Sequence, residues 1–486
     1  MEIFLVFHFG TRMSPRIMQM ILETNVSEAG EFFEAYCFDI RTVLMGLLYL
    51  VIVLFPIAVN GRLGRLLNRK AVRWLFLAGI IMGFVLIGFD VRAHVKRKWW
   101  DFPFYEERIT TVDTLIYSWQ AQKFSTDLPI LLAATHCFEA DPQVTCDYIS
   151  SKIILIIGES FNKYHSSLYG YGQQTNPRLE RWLAEGNLAV FDDVLSPNNY
   201  TSYVLKRVYS LRSEDMTDCN IWNDAPIFPT VFHRCGYRNT LISNQNVKKT
   251  GDNFEYSISY YLNNDSIERL SFERRNDQIY KYDEQVVDAY ADWLSDPSPN
   301  QLVILHLMGQ HAAHFQRYPE SWDYFAADSV NRPDLNDGQR REIAVYDNAT
   351  RYNDYVIDRV LRLNEDQDAV VVYFSDHGEE VNDFRLLVGR SHDTYMTRNF
   401  VKYQFEIPFL IWMSDRYKKS HPKMVQRIAE AVHRPFMIDD MCHLLFDLAG
   451  IRCKWSDSSR SPINDAFQSR KRLLREGDAV YEELSE

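Results

Sequence analysis

Runs rich in apolar residues mark the strands that the pattern predicts from residue 152 onward. The runs cover residues 152–157, 239–242, 301–305, 369–374 and 409–413. Apolar runs of this kind are typical of strands buried on both faces, as in parallel sheets that helices cover on both sides. Helical stretches such as 228–236 alternate with these strands. We therefore predict an α/β fold with a central, mainly parallel sheet flanked by helices.

A different periodicity, of about 3.6 residues, appears in the segment 339–364. Its apolar residues recur at helical spacing between charged ones: Ile343, Tyr346, Tyr352, Val356, Val360 and Leu363. This pattern predicts a long helix whose apolar stripe packs into the core. A helical segment is also expected directly after the strand 152–157, over residues up to Leu179.

Two longer apolar stretches near the N-terminus, 43–59 and 74–89, predict a transmembrane helical region. Their length is at the lower end of the roughly 17–25 residues that span a bilayer as a helix. The loop between them is basic, and the preceding segment 23–39 is acidic. Because basic loops favour the cytoplasmic side, the large C-terminal region is expected on the outer side. Two buried core helices of a soluble protein are the alternative.

Composition narrows the classes of partner. The 486 residues carry a formal net charge of −12, which argues against nucleic acid as a partner because no basic face dominates. Six cysteines follow the predicted membrane region: Cys137, Cys146, Cys219, Cys235, Cys442 and Cys453. Their close spacing is compatible with three short-loop disulfides in an oxidising compartment, and free buried thiols are the alternative.

Residues with metal-binding side chains follow three of the predicted strands. Asp376 and His377 follow the run 369–374, Glu159 follows 152–157, and His306 and His311 follow 301–305. The carboxyl ends of parallel strands meet at one edge of a sheet, where ligands bind. Zn²⁺ accepts both carboxylate and imidazole ligands. The pattern favours a metal site, although each residue alone could be structural, as a helix cap or a core histidine.

These motifs and their order resemble the membrane-bound phosphoethanolamine transferases of Gram-negative bacteria, within the alkaline phosphatase and sulfatase superfamily. The resemblance runs from about residue 21 to about residue 447. It rests on these segments, together with His306 and His311: Glu23-Thr24-Asn25, Gly158-Glu159-Ser160, Thr175-Asn176-Pro177, Arg317-Tyr318-Pro319, Tyr346-Asp347-Asn348 and Ser375-Asp376-His377-Gly378-Glu379. The segment Ser196-Pro197-Asn198-Asn199-Tyr200-Thr201 is closest to the branch that modifies the lipopolysaccharide core.

The resemblance implies a nucleophile bound to a metal. Glu159, Asp376 and His377 would hold one Zn²⁺, with Thr201 as the fourth ligand and the nucleophile, and a second zinc ion could join during turnover. Metal coordination would lower the pKa of the threonine hydroxyl, which is otherwise a poor nucleophile. Thr201 as a plain helix N-cap, with Ser202 as the nucleophile, is the alternative.

The resemblance also implies further catalytic and substrate-binding residues. Three histidines would bind phosphoryl oxygens, a second metal ion or the leaving group: His306, His311 and His392. Lys248 or Lys249 would anchor the substrate, although the match to the family is weak there. His165 and His314 are expected on the surface or behind the ligands.

The implied reaction moves phosphoethanolamine from phosphatidylethanolamine to lipopolysaccharide, on its core or lipid A, or to another envelope glycan. It would pass through a phosphothreonine and release diacylglycerol. A sulfatase proper is disfavoured, because the Cys/Ser-x-Pro-x-Arg sequence that yields formylglycine is absent. A phosphoglycerol transferase or phosphodiesterase of the same superfamily and a non-catalytic membrane-anchored envelope protein are the alternatives.

The expected organisation has four parts. Residues 1–98 form the transmembrane region, which shows two spans where the family usually has five and is therefore expected to be N-terminally reduced. Residues 99–150 connect the membrane to the catalytic domain at 151–455, and 456–486 form a C-terminal tail. The protein is expected in the bacterial inner membrane, among membrane lipids, with its catalytic domain in the periplasm.

Overall fold

The computed structural model describes residues 127–216, 220–245, 258–294, 298–390 and 396–485, with six isolated positions between 30 and 50. The five ranges belong to one compact unit, Ser125–Arg390 with Tyr395–Glu486. The apolar stretches 43–59 and 74–89 lie outside the described residues, apart from the isolated positions. Among the described residues, no helix is both long enough and apolar enough to cross a membrane.

The strands and helices of this unit alternate along the chain. The strands are β1 (Val144–Cys146), β2 (Lys152–Gly158), β3 (Leu188–Phe191), β4 (Val194–Leu195), β5 (Arg238–Ser243), β6 (Arg274–Arg275), β7 (Gln301–His306), β8 (Ala369–Ser375), β9 (Glu380–Val381), β10 (Val388–Gly389), β11 (Phe409–Met413), β12 (Phe436–Met437), β13 (Ile451–Cys453), β14 (Leu473–Leu474) and β15 (Ala479–Val480). The α-helices are α1 (Asp127–Ala140), α2 (Pro177–Ala184), α3 (Thr201–Tyr209), α4 (Phe228–Arg234), α5 (Ile258–Leu262), α6 (Asp265–Arg269), α7 (Glu284–Trp293), α8 (Asp337–Leu363), α9 (Arg398–Gln404), α10 (Asp415–Ser420), α11 (Pro422–Ala431) and α12 (Met441–Ala449).

The central sheet has seven strands in the order β3-β11-β8-β2-β7-β5-β6. Strand β2 pairs in parallel with both β8 and β7, and β5 pairs in parallel with β7 and β6. Strand β11 runs antiparallel between β8 and β3. The prediction of a central, mainly parallel sheet flanked by helices is confirmed.

Side chains from β2 enter the apolar core on both faces of the sheet. Ile153, Leu155 and Ile157 belong to one buried cluster, and Ile154 and Ile156 belong to the cluster on the other face. Burial of one such side chain contributes about 1.5–3 kcal/mol. The apolar stripe of α8 packs into the core, as the helical spacing predicts: Tyr352, Val356 and Val360 join the second cluster, and Ile343 and Tyr346 join a smaller one.

The segment directly after β2 differs from the prediction. Instead of an α-helix, it forms two short 3₁₀ turns, Lys163–His165 and Ser167–Tyr169, and α2 starts only at Pro177. The second turn ends at Gly170, whose φ of 89° is favourable for glycine and incompatible with a continuing helix. Pro177 then starts α2, because proline at the first helical position gives up no intrahelical hydrogen bond.

The residues after 456 pack against the rest of the unit. Strands β14 and β15 form an antiparallel hairpin. Leu474 and Tyr481 are buried in one apolar cluster with Phe400 and Phe405 of the α9 region. This segment therefore contributes a part of the core that its polar composition does not indicate.

The described cysteines, Cys137, Cys146, Cys235, Cys442 and Cys453, are all free thiols in the structure. The short-loop pairs 137/146 and 442/453 are therefore not bonded, and Cys235 and Cys442 are buried thiols. Cys219 and Cys37 lie outside the described residues.

Candidate active site

The register of the sheet brings the predicted ligands to one place. Gly158, at the end of β2, pairs with Ser375, at the end of β8, so Glu159 and Asp376 leave neighbouring strands at the same level. Strand β7 lies on the other side of β2 and ends one residue earlier, with His306 opposite Ile157. The loop after β7 passes close to Glu159 at Gly309, whose φ is 51°. A Cβ at this position would lie 2.8 Å from the Glu159 backbone, so only glycine allows this approach.

Glu159, Asp376 and His377 form a compact group, here called the ligand cluster. One ligating atom from each lies within 4.8 Å of the others, and all three side chains are buried. His377 Nε2 is 3.1 Å from Glu159 Oε1 and 3.2 Å from Asp376 Oδ2. Two carboxylates and one imidazole at this spacing form a donor set that Zn²⁺ accepts.

Two hydrogen-bonding details support a metal at the ligand cluster. His377 Nδ1 lies 3.0 Å from the carbonyl oxygen of Gly378, which accepts its N–H. The lone pair of the ring is therefore on Nε2, on the side of the cluster, where Arg390 Nη1 also lies 2.6 Å away. A bond of this kind to a backbone carbonyl is common in zinc-bound histidines. Asp376 Oδ1 accepts hydrogen bonds from the backbone N–H groups of Ser160 and His377, while its buried Oδ2 has no hydrogen-bond donor among the described residues.

The electrostatics of the ligand cluster also call for a cation. Burial and the neighbouring Glu159 carboxylate raise the pKa of Asp376 well above its usual value. Burial and the nearby Arg390 guanidinium lower the pKa of His377, which keeps its ring neutral. The Arg390 guanidinium supplies one positive charge beside the two carboxylates. A divalent metal ion bound by both would supply the further charge that allows both to be ionised.

Thr201 is the first residue of α3, and Tyr200 occupies the N-cap position, so Thr201 is not the cap of this helix. Its Oγ1 donates to Glu159 Oε2 at 2.9 Å and lies 3.2 Å from His377 Nε2. The structure therefore brings the hydroxyl into the ligand cluster, where a metal ion bound by these residues would contact it.

His306 and His311 lie beside this group on the β7 side. His306 Nδ1 is 3.1 Å from Ser243 Oγ, and its Nε2 has no hydrogen-bond partner among the described residues. The same is true of His311 Nδ1. Burial lowers the pKa of both histidines to about 4, so both rings are neutral near pH 7. His392, Lys248 and Lys249 lie outside the described residues and stay predictions.

Two polar residues that the sequence did not single out also contact the ligand cluster. Arg390 Nη1 donates to His377 Nε2 at 2.6 Å, and Gln245 Nε2 donates to Glu159 Oε2 at 3.1 Å. Each follows a strand of the described unit: Gln245 comes soon after β5, and Arg390 directly after β10. A search for polar residues after the predicted strands would have found Gln245, whereas Arg390 follows a two-residue strand that the apolar pattern does not predict.

His165 lies behind the ligand cluster rather than on the surface. Together with Asp347 and Asp383 it forms a second group, here called the support cluster, in which His165 and Asp347 are buried and Asp383 is partly buried. His165 Nδ1 is 2.8 Å from Asp347 Oδ1, and its Nε2 is 3.3 Å from Asp383 Oδ1. His314 is also buried, with Nε2 3.2 Å from Glu379 Oε2.

Several known proteins are similar to this chain. The phosphoethanolamine transferase EptC of Escherichia coli O18:K1:H7 (strain RS218 / NMEC) is 28% identical over 493 residues, covering 96% of this chain and 80% of that protein. The Kdo(2)-lipid A phosphoethanolamine 7''-transferase of Escherichia coli (strain K12) is 28% identical over 320 residues, covering 65% of this chain and 53% of that protein.

A solved structure also matches. The zinc complex of the C-terminal periplasmic domain of EptC from Escherichia coli has a TM-score of 0.60 and 28% identity, and the match covers 70% of this chain and 96% of that one. Residues 151–451 match the sulfatase family, and this range contains the ligand cluster, Thr201, His306 and His311. The chain therefore belongs to the sulfatase family.

Proposed function

We propose that this protein is a zinc-dependent phosphoethanolamine transferase. It would move phosphoethanolamine from phosphatidylethanolamine to the core or lipid A of lipopolysaccharide, or to another envelope glycan. One observation carries the proposal: the hydroxyl of Thr201 lies within hydrogen-bond distance of Glu159 and His377 in a buried cluster of zinc-binding side chains. The relatives support the group transferred, since they are named phosphoethanolamine transferases.

The first step would form a bond between Thr201 Oγ1 and the phosphorus of the donor lipid. The bond between phosphorus and the glycerol oxygen breaks, and diacylglycerol leaves with that oxygen and gains a proton. A bound zinc ion supplies the positive charge that lowers the pKa of the attacking hydroxyl. Glu159 Oε2, 2.9 Å from Thr201 Oγ1, is placed to accept the hydroxyl proton.

The second step would reverse the covalent change. An oxygen of the acceptor attacks the phosphorus of phosphothreonine, the bond between phosphorus and Thr201 Oγ1 breaks, and Thr201 recovers a proton. Groups beside the nucleophile would bind the phosphoryl oxygens, where charge accumulates during transfer. His306 and His311 offer ring nitrogens for this role, and Arg390 offers a guanidinium. His392, a second zinc ion, and Lys248 or Lys249 would complete the substrate site.

The reaction needs access to a lipid, and we place the protein accordingly. The apolar stretches 43–59 and 74–89 would anchor it in the inner membrane. The unit described here would face the periplasm, as the matched domain of EptC from Escherichia coli does. Its surface would then meet both the donor phospholipid and the glycan acceptor.

Mass spectrometry of envelope lipids tests the proposal directly. Cells with the gene should contain a lipopolysaccharide species heavier by one phosphoethanolamine group, and cells without the gene should lack it. Thr201→Ala should abolish the heavier species. Ser202→Ala, which removes the neighbouring hydroxyl of the same helix, is the matched control and should keep it.

Three results would contradict parts of this proposal. A mass increase of one phosphoglycerol group would reassign the donor lipid, and no increase on any glycolipid or glycan would reject the transferase. Loss of the heavier species in Ser202→Ala, together with its persistence in Thr201→Ala, would move the nucleophile to Ser202.

A further inference from the structure

We propose that Arg475, in the C-terminal hairpin, is a positioning residue for the nucleophile. In this proposal Arg475 fixes the segment 196–200, here called the nucleophile segment, so that Thr201 Oγ1 faces the ligand cluster. The inference rests on the proposed role of Thr201 as the nucleophile. It gives a positioning role to a part of the chain that the sequence predicts to be a polar tail.

Arg475 lies at the tight turn between β14 and β15. Its side chain is only 1% exposed, although arginine is rarely buried to this extent. Its backbone φ is 50°, followed by 60° at Glu476 and 90° at Gly477, and two of these three residues are not glycine. Non-glycine residues at positive φ cost free energy and persist only where the surroundings hold them.

Two hydrogen bonds link Arg475 to the nucleophile segment. Its backbone N–H donates to the carbonyl oxygen of Pro197 at 2.9 Å, and its Nη2 donates to Asn199 Oδ1 at 3.2 Å. The guanidinium also lies over the rings of Phe400 and Phe405, with centroid distances of 5.1 and 5.5 Å. The aromatic rings restrict the guanidinium to the position from which it reaches Asn199.

Asn199 connects this arginine to the rest of the site. Its side-chain Nδ2 donates to Gln404 Oε1 at 2.7 Å, and its backbone carbonyl oxygen accepts from Arg390 Nη1 at 3.1 Å. The backbone carbonyl oxygen of Gln404 in turn accepts a hydrogen bond from the Gly378 N–H at 3.0 Å. Asn199 is fully buried and stands two residues before Thr201, so its hydrogen bonds couple the nucleophile to the loop of His377.

This arrangement predicts an effect on turnover rather than on substrate binding. Arg475 is linked to Thr201 through Asn199 and Pro197, two and four residues before the nucleophile, rather than through the ligand cluster. A displacement of the attacking atom by about 1 Å can lower a rate by about 100-fold. Loss of the arginine should therefore reduce kcat and leave KM nearly unchanged.

The test compares Arg475→Met with Asn199→Ala, which removes the acceptor of the guanidinium together with the donor to Gln404, and with the double variant. Full-length protein in detergent micelles receives phosphatidylethanolamine with a fluorescent acyl chain, and labelled diacylglycerol is measured. Each single variant should lower kcat by about 10- to 100-fold with bound zinc unchanged, and the double variant should lose little more. Arg475→Lys should recover part of the rate.

Arg472→Met is the matched control. Arg472 is also a buried arginine of this hairpin, but it pairs with Asp193 and Glu482 rather than with the nucleophile segment. The Arg472→Met variant should be less stable than wild type but should keep the wild-type kcat. Hydrogen exchange gives a readout independent of activity: amides of residues 198–203 should exchange faster in Arg475→Met than in Arg472→Met.

The outcomes separate this inference from the proposed function. Normal kcat in Arg475→Met or in Asn199→Ala, with wild type active and Thr201→Ala inactive, overturns the positioning role alone. If Arg475→Met does not fold, Asn199→Ala decides by the same criterion. If wild type releases no labelled diacylglycerol, the proposed function fails. In that case, hydrogen exchange at residues 198–203 that is no faster in Arg475→Met than in Arg472→Met overturns the positioning role as well.

Discussion

The ligand cluster and the support cluster each contain two carboxylates and one histidine, and all of these residues are buried except Asp383, which is partly buried. They differ in what the imidazole contacts. In the support cluster each ring nitrogen of His165 faces a carboxylate, at 2.8 and 3.3 Å. In the ligand cluster, one ring nitrogen of His377 faces the carbonyl oxygen of Gly378, and only the other faces the carboxylates.

This difference sets the charge of each cluster. Burial alone would lower the pKa of His165, but Asp383 and Asp347 raise it to about 10, so the protonated ring neutralises one of its two neighbours. His377 stays neutral, and the carboxylates beside it lack a matching charge within the cluster. The comparison teaches that residue type alone does not make a metal site. The partner of the second ring nitrogen decides whether the imidazole supplies a proton or an electron pair.

The largest expected effect comes from removing one charge of the ligand cluster. Asp376→Asn keeps the size of the side chain but replaces a carboxylate oxygen that would bind the metal. We expect the protein to lose its zinc and its activity to fall by at least about 10³-fold. Elemental analysis of the purified protein and release of labelled diacylglycerol measure the two effects.

Asp347→Asn makes the same chemical change in the support cluster and serves as the control. It should lower the stability of the protein while one zinc ion per chain remains bound. A full complement of zinc in Asp376→Asn, or loss of zinc in Asp347→Asn, would erase the distinction between the two clusters.

A smaller effect, on stability, is expected from the support cluster. His165→Ala leaves the buried Asp347 and the partly buried Asp383 without their cation. Breaking a buried ion pair in this way typically costs about 3–5 kcal/mol. Urea unfolding of the catalytic unit within the full-length protein measures the loss. His433→Ala is the matched control, because its ring also lies 2.6 Å from an aspartate, Asp192, but is 81% exposed. That exposed pair should contribute no more than about 1 kcal/mol.

The same histidine predicts a dependence of stability on pH. In the folded protein His165 keeps its proton up to a pKa of about 10, compared with 6.5 for an unperturbed histidine. Its contribution to stability is therefore complete below pH 6.5 and is lost as the pH rises toward 10. The free-energy difference between wild type and His165→Ala should shrink across this window. Taking the difference cancels the contributions of other titrating groups to the pH dependence. Lys152 is one such group, because burial lowers its pKa to about 8. A constant difference would mean that His165 is neutral.

The sequence predicted the sheet and the ligand cluster for related physical reasons. Long apolar runs identify strands buried on both faces, and β2, β7 and β8 appear within one residue of the predicted ends. In a parallel sheet the residues after such strands must meet at one edge. Glu159, Asp376 and His377 were therefore within reach of sequence reasoning before any coordinates.

Residues that act through hydrogen bonds to loops gave no such signal. Arg390 and Asn199 lie in segments without apolar periodicity, and their partners are distant in the chain. Arg475 lies in a polar stretch whose burial depends on Phe400 and Phe405, about 70 residues earlier. Such contacts are set by tertiary packing, which a local pattern does not encode.

The smallest expected effect concerns the connection between the two clusters. Tyr346 lies between the two clusters, and its ring packs on His165 of the support cluster. Its hydroxyl donates to the backbone carbonyl oxygen of Ser160 and accepts from the Asn162 N–H, both at 2.7 Å. Ser160 adjoins Glu159 and has a φ of 56°, so this hydroxyl helps hold a strained turn beside a metal ligand. Tyr346→Phe should cost about 1–3 kcal/mol, because two buried backbone groups lose their partner.

The same variant should weaken zinc binding by about 10-fold at most, since the ligands remain but are held less firmly. Competition with a chromogenic chelator measures the affinity, and Tyr324→Phe, at an exposed tyrosine, is the control. A loss of stability without any change in zinc affinity would show that the turn at Ser160 can loosen without displacing the metal ligands. A loss of both would show that the Tyr346 hydroxyl stabilises the turn from which Glu159 reaches the ligand cluster.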